Sequence, residues 1–180
     1  MATGRTLVLG GVRSGKSAWA ESLLTGHPRV DYLATAAHRD DDADWSDRIS
    51  AHRERRPADW STTEAGGDPT LLIAALRVAT PTIPLLVDDV GNWLTAALDA
   101  AGAWDHGAHA VDGVTSELVS AVAGCAAPLV LVSPEVGWGV LPATRAGRVF
   151  ADAQGQLNQR LAAACDGATL VVAGLPIRLK

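Results

Sequence analysis

Gly10-Gly11-Val12-Arg13-Ser14-Gly15-Lys16-Ser17 is the stretch whose reading decides the fold. It fits GxxxxGK[ST], in which glycines let the backbone turn its amides toward phosphate oxygens. In that pattern Lys16 adds a point charge for the outer phosphates, and the Ser17 hydroxyl is placed to ligate magnesium. The pattern has meaning only between a strand and a helix. Thr6-Leu7-Val8-Leu9 reads as a short apolar strand, and Ser17 to Leu24 as a helix whose positive end faces the same anions. Of fifteen basic residues only Lys16 and Lys180 are lysines. A lysine kept here in an arginine-using chain points to a task that the guanidinium fork performs poorly. The loop as a whole, Gly10, Gly11, Val12, Arg13, Ser14, Gly15, Lys16 and Ser17, is expected to bind a nucleoside triphosphate.

Outward from the loop, apolar runs alternate with helical patterns. Strands are expected at Val30–Thr35, Leu85–Asp88, Leu129–Ser133 and Thr169–Ala173, the last of these closing the fold. Helices are expected at about Asp44–Arg56, Pro69–Ala79, Val90–Ala101, Val111–Ala123 and Thr144–Ala164, with Trp60–Asp68 as loop. Strands that are continuous apolar runs belong to a parallel sheet covered on both faces. The fold class is therefore α/β, in a single nucleotide-binding catalytic domain over residues 1–180.

The 180 residues carry a net charge of −5, and a pI near 5.4 argues against nucleic acid or an anionic membrane as partner. Cys125 and Cys165 lie far apart without a CxxC pairing, as expected of free thiols in a reducing cytoplasm. No apolar run approaches the roughly 20 residues that span a bilayer, and the N-terminus does not read as a signal peptide.

Leu85-Leu86-Val87-Asp88 has the form of a Walker B strand, whose closing acid holds magnesium or its waters. The competing reading is a strand end with Asp88 or Asp89 capping the next helix; beside a phosphate loop, the metal role is favoured. Asp88-Asp89-Val90-Gly91 also matches the DxxG of switch GTPases, but the chain has no NKxD, which removes that reading.

His52 lies in Arg48-Ile49-Ser50-Ala51-His52-Arg53-Glu54-Arg55-Arg56-Pro57. On a helix, Arg48, Arg55 and Arg56 share its face. Their charge disfavours imidazolium and keeps the ring nucleophilic, and it would draw in a triphosphate. The alternative is a partly exposed histidine on a solvated charged helix, and residue chemistry alone favours it. His106 and His109 lack a third ligand and read as solvated. The tryptophans read as core or interface anchors. Trp138 differs, because Glu135-Val136-Gly137-Trp138-Gly139 follows a strand end, where ligands of such sheets bind. Glu135 is a candidate contact there, with a cap or ion pair as its alternative.

Several blocks together resemble one family, the bifunctional adenosylcobinamide kinase / adenosylcobinamide-phosphate guanylyltransferases of cobalamin biosynthesis. The blocks are residues 10–17, Tyr32-Leu33-Ala34-Thr35-Ala36, the Arg-Ile-x-x-His-Arg-x-x-Arg-Pro of 48–57, Trp60 with Glu64, Leu85–Asp88 with Trp93-Leu94-Thr95, and Val132-Ser-x-Glu-Val-Gly-Trp-Gly139. Pro142, Arg145, Gly147-Arg148, Phe150, Asp152, Gly155, Asn158-Gln159 and Val171–Pro176 continue the likeness to the end of the chain.

The resemblance implies a RecA-like P-loop fold, a homotrimer, and two reactions. ATP or GTP phosphorylates the aminopropanol hydroxyl of adenosylcobinamide; GTP then gives GMP to a histidine, and from there to the phosphorylated cobinamide. The resemblance puts His52 in the acceptor role, reversing the residue-level preference. It gives Lys16 a catalytic part, and Thr35, Arg53, Glu64 and Asp88 a place at the nucleotide with the loop. Ser17 and Asp88 serve Mg2+. Similar sequences usually carry Asp-Cys-Leu-Thr where this chain has Asp88-Asp89-Val90-Gly91, and Asn where it has Pro134. A phosphoryl-transferring enzyme for another small acceptor and a non-catalytic nucleotide-binding regulator are the competing functions.

Overall fold

A computed structural model of the chain describes residues 4–36, 57 and 59–180. Its centre is a seven-stranded sheet built from β1 (Arg5–Gly10), β2 (Asp31–Ala34), β3 (Ser61–Glu64), β4 (Leu85–Asp88), β5 (Leu129–Pro134), β6 (Gly167–Val172) and β7 (Leu175–Arg178). The spatial order is β3-β2-β4-β5-β1-β6-β7. Every pairing is parallel except β6 with β7. The described helices are α1 (Lys16–Leu23), α2 (Pro69–Val78), α3 (Val90–Ala100), α4 (Ala103–His106), α5 (Asp112–Gly124) and α6 (Arg145–Ala164), with a 3-10 turn at Ala108–Val111.

The apolar strands are buried from both sides, because successive side chains point to opposite faces. Leu7, Leu9, Val87, Leu129 and Leu131 join one core with residues of α2, α3, α5 and α6. Val8, Leu86, Val130 and Val132 join the other, beneath α1. Leu129 to Val132 are wholly inaccessible. This is why those strands are apolar runs rather than alternating ones. No described helix is long and apolar enough to cross a membrane.

Two strands depart from the sequence reading. Residues 61–64, read as loop, form β3, an edge strand pairing in parallel with β2. All four of its side chains are exposed, so Ser61-Thr62-Thr63-Glu64 has no apolar signal to offer. The second is β7, which follows the strand read as the last. Ala173 and Gly174 have φ of 51° and 79°, the double left-handed geometry of a two-residue hairpin turn. They bring β7 back antiparallel on β6, and Pro176 is tolerated because β7 is an edge. Between the helices expected to end at Ala101 and to begin at Val111, the chain forms α4 and the 3-10 turn.

The junction between α6 and β6 is tied by charged side chains. Lys180 donates from Nζ to the carbonyls of Ala162 at 3.1 Å and Cys165 at 2.6 Å, closing the C-terminal end of α6. The second lysine of the chain thus caps a helix. Arg5 pairs with Asp166 at 3.0 Å and holds that carboxyl down at about 2. Cys125 and Cys165 are unpaired; burial pushes the Cys165 thiol up to about 11, which leaves it unreactive at neutral pH.

Candidate functional site

The site lies where β1, β5 and β4 end side by side, with β5 between the phosphate loop and the acid. In β1 the last register pair is Gly10 with Pro134, and the Glu135 amide donates to the Gly10 carbonyl at 3.1 Å. A Cβ at Gly10 would collide with the Ser14 side chain and would stand 2.8 Å from the Val171 carbonyl. At Gly15, φ is 93° and a Cβ would stand 3.1 Å from Gly174 Cα. These glycines are required by close backbone approach and by the left-handed turn. Arg13 shares the turn with φ of 57°, while Val12 projects into solvent.

Gly15 precedes α1 with no side-chain cap. Asp68, Asp89 and Thr144 cap α2, α3 and α6, while α4 and α5, like α1, have no side-chain cap. An N-terminal turn left without a side-chain cap presents its amides to an anion. Among the described residues, the hydrogen bond that Lys16 Nζ makes is to a carbonyl of the loop itself, Gly11 O at 3.4 Å.

Asp88 shares a strand face with Leu86, and that face looks toward α1. Ser17 Oγ accordingly lies 3.3 Å from Asp88 Oδ1, and the Tyr32 hydroxyl donates to Asp88 Oδ2 at 2.7 Å. Ser17 and Asp88, both expected at the magnesium, thus stand within hydrogen-bond distance of each other, and their oxygens are hard donors. Tyr32 is an addition. Sequence reading placed it in a strand, and its one signal was register, since it stands opposite Leu86 on the face that carries Asp88.

Of the two competing readings of Asp88-Asp89, the helix cap is made by Asp89, which leaves Asp88 facing Ser17. Asp89 caps α3, its Oδ1 accepting from the Asn92 amide at 2.9 Å. Burial pushes the Asp89 carboxyl above its ordinary value, and the Asp88 charge adds to this; the Asn92 amide, Lys16 and the Gly91 amide work in the opposite direction. An acid whose folded-state pKa is raised favours folding below its unfolded value and loses that contribution as pH rises through the folded one. Asn caps equally well without a charge. In metal-free buffer, Asp89→Asn is therefore expected to raise the unfolding midpoint at pH 7 by a few degrees, about what 1 kcal/mol gives a chain of this size. The gain should shrink toward pH 4, and thermal scans at the two pH values check it.

Gly91 and Pro134, the two departures from the family's pattern, touch each other. A Cβ on Gly91 would come 2.5 Å from Pro134 Cγ and 3.0 Å from Cδ. The ring is fixed to its own backbone and cannot swing aside, so neither departure stands alone. Gly91→Ala should cost about 1–2 kcal/mol by overpacking, despite alanine's better helix propensity. Pro134→Ala in that background should recover most of it, as read by denaturant unfolding of the four variants of the cycle.

Thr35 is buried; its hydroxyl donates to the Asp89 carbonyl at 2.5 Å and its amide to the Asp88 carbonyl at 3.2 Å. It joins the site as a brace between β2 and β4. Glu64 ends β3 in line with Ala34 and Asp88, roughly 10 Å from Asp88 at the usual strand spacing. Glu135 turns back to accept from the Gly137 amide at 3.1 Å. Trp60 and Trp93 are buried as expected, and Trp138 is exposed. Among the described residues no group of three or more His, Cys, Asp or Glu is placed to hold a metal. His52 and Arg53 lie outside the described residues.

The chain matches the family described as cobinamide kinase / cobinamide phosphate guanyltransferase over residues 6–179. The chain belongs to that family. Among relatives in the family, the bifunctional adenosylcobalamin biosynthesis protein CobU of Salmonella typhimurium is 40% identical, covering 97% of this chain and 98% of its own length. CobU of Escherichia coli is 37% identical over the same shares. The bifunctional adenosylcobalamin biosynthesis protein CobP of Pseudomonas aeruginosa is 39% identical over 98% of this chain and 97% of its own. In fold, an ATPase from the type III secretion system of pathogenic bacteria is similar over 97% of this chain, with a TM-score of 0.58 and 14% identity. The chain spans 56% of that ATPase, and the likeness shows the fold alone, the α/β P-loop architecture.

Proposed function

We propose that the chain carries both activities that name its family, in one domain over residues 1–180. In the first, the hydroxyl oxygen of the aminopropanol arm of adenosylcobinamide attacks the γ-phosphorus of ATP or GTP. The bond to the β–γ bridging oxygen breaks, the hydroxyl proton is lost, and the diphosphate leaves. In the second, a His52 nitrogen attacks the α-phosphorus of GTP and releases pyrophosphate. A phosphate oxygen of the phosphorylated cobinamide then displaces the imidazole, giving adenosylcobinamide-GDP. Splitting one difficult displacement into two easier ones is the use of such an intermediate.

The observation that carries this reading is the approach of Ser17 to Asp88 beside an uncapped α1, in a chain that follows its family from end to end. Loop amides and Lys16 bind and orient the phosphates; Arg53 and Glu64 contribute at the nucleotide, and Thr35 fixes the strand ends around it. Ser17 and Asp88 would hold Mg2+, which when bound supplies charge neutralisation for the phosphates. The Tyr32 hydroxyl keeps the Asp88 carboxylate oriented.

Partners are the nucleotide and the corrinoid, with no nucleic acid and no membrane insertion, in the cytoplasm, where unpaired cysteines stay reduced. A homotrimer is supported by the apolar edge of β7, where Leu175 and Ile177 are exposed together with Leu179 beyond it. Triphosphate turnover that requires added cobinamide and yields phosphorylated cobinamide is the expected result. Turnover indifferent to cobinamide, or nucleotide binding with no turnover, would support a competing function.

A further inference from the structure

Residues 135–141 leave β5 directly beside the phosphate loop and carry exposed apolar surface among the described residues. Trp138 is 77% exposed, Val140 97% and Leu141 76%. The segment is held at both ends. Glu135 is bonded through its amide to Gly10 at 3.1 Å. Beyond Leu141, the carbonyls of Pro142 and Ala143 accept from Arg148 Nη1 at 3.0 and 2.8 Å. Gly147 packs its bare Cα against Pro142, where a Cβ would stand 2.7 Å from the Pro142 Cβ. Gly137 and Gly139 flank the indole without side chains of their own. A Cβ on Gly139 would meet nothing within 4 Å, and one on Gly137 only the Glu135 carboxylate at 3.4 Å.

An exposed Trp with two exposed aliphatics is costly to leave in water, and its position defines what could cover it. Because β5 lies between the phosphate loop and Asp88, the segment begins within reach of the outer phosphates. The proposed acceptor is a flat macrocycle whose reacting hydroxyl stands at the end of a short arm. Such a ring is far larger than the phosphate cradle, so it must rest on surface outside it, within an arm's length. A tryptophan supplies rigid amphipathic area for that purpose at little conformational cost.

We propose that Trp138, Val140 and Leu141 form the platform on which the corrin ring of the acceptor rests while its arm reaches the nucleotide held by Gly10–Ser17. The inference rests on the corrinoid acceptor proposed above. A second copy of the chain covering the same surface is the alternative outcome.

The test measures cobinamide affinity by equilibrium dialysis, nucleotide affinity with a non-hydrolysable GTP analogue, and solution mass by light scattering. Trp138→Ala is expected to weaken cobinamide binding about tenfold or more, with nucleotide affinity and mass unchanged. Trp138→Phe should restore much of the loss, and Val140→Ser should show a smaller loss of the same kind. At such exposed positions the unfolding midpoint should stay within a degree or two of the parent, which separates the effect from misfolding. Unaltered cobinamide affinity in Trp138→Ala, with the parent binding cobinamide normally, overturns the platform and leaves the proposed activities standing. A fall in mass accompanying the loss assigns the surface to a subunit contact and also overturns it. A parent protein that does not bind cobinamide overturns the acceptor itself, and the platform with it.

Discussion

Lys16→Ala is expected to lower both transfers by about 10²–10³ in kcat, the usual effect of removing one preorganised donor from developing phosphate charge. Among the described residues, Lys16 Nζ reaches the Gly11 carbonyl, at 3.4 Å. Its loss therefore removes little that the fold depends on, and the unfolding midpoint of the nucleotide-free protein should hardly move. Both reactions draw on one cradle, so both should fall together, even though one cuts at the γ-phosphate and the other at the α-phosphate. Lys16→Arg should rescue poorly. The planar fork is bulkier than an ammonium and presents its charge in a different geometry. Initial rates of corrinoid phosphorylation and of GMP transfer, each at saturating nucleotide, read the effect.

Asp88→Asn is the second large effect, expected to lower kcat/KM for both reactions by at least about a hundredfold. The substitution is informative because it can keep the hydrogen bonds to Tyr32 and Ser17. The amide oxygen can still accept from Tyr32, now at 2.7 Å, while the amide nitrogen can turn to the Ser17 hydroxyl, now at 3.3 Å. What disappears is the charge that a divalent ion requires. The parent protein should gain stability from GTP in proportion to RT ln(1 + [L]/Kd), and much of that gain should depend on magnesium. In Asp88→Asn the magnesium-dependent part should vanish while the nucleotide-free midpoint is kept.

What could be read in the sequence was whatever local physics dictates. Gly10 and Gly15 are needed where backbones approach, and Leu129 to Val132 announce a strand buried on both faces. Asp88 could be expected near Ser17 because an apolar strand closing on an acid and a phosphate loop are two parts of one pattern. The rest depended on distant partners. β3 is polar because it is an exposed edge, and β7 was hidden behind a two-residue turn at Ala173-Gly174 and a proline. Tyr32 reaches Asp88 only through strand order, β2 lying beside β4. Gly91 and Pro134 lie 43 positions apart, from 134 − 91, and only the fold brings them into close contact. Lys180 drew no role in the sequence and proves to cap α6. His52 stood on a family resemblance rather than on its arginine neighbours, and family membership is what supports it now.

The central claim, one cradle serving two transfers, is tested most directly by incubating the protein with GTP labelled at the α-phosphate and then denaturing it. The account predicts label that stays on the protein in alkali and is lost in mild acid, as a phosphoramidate requires. The label should be absent from His52→Ala and nearly absent from Lys16→Ala. An unlabelled parent protein, or label that persists in His52→Ala, would contradict it.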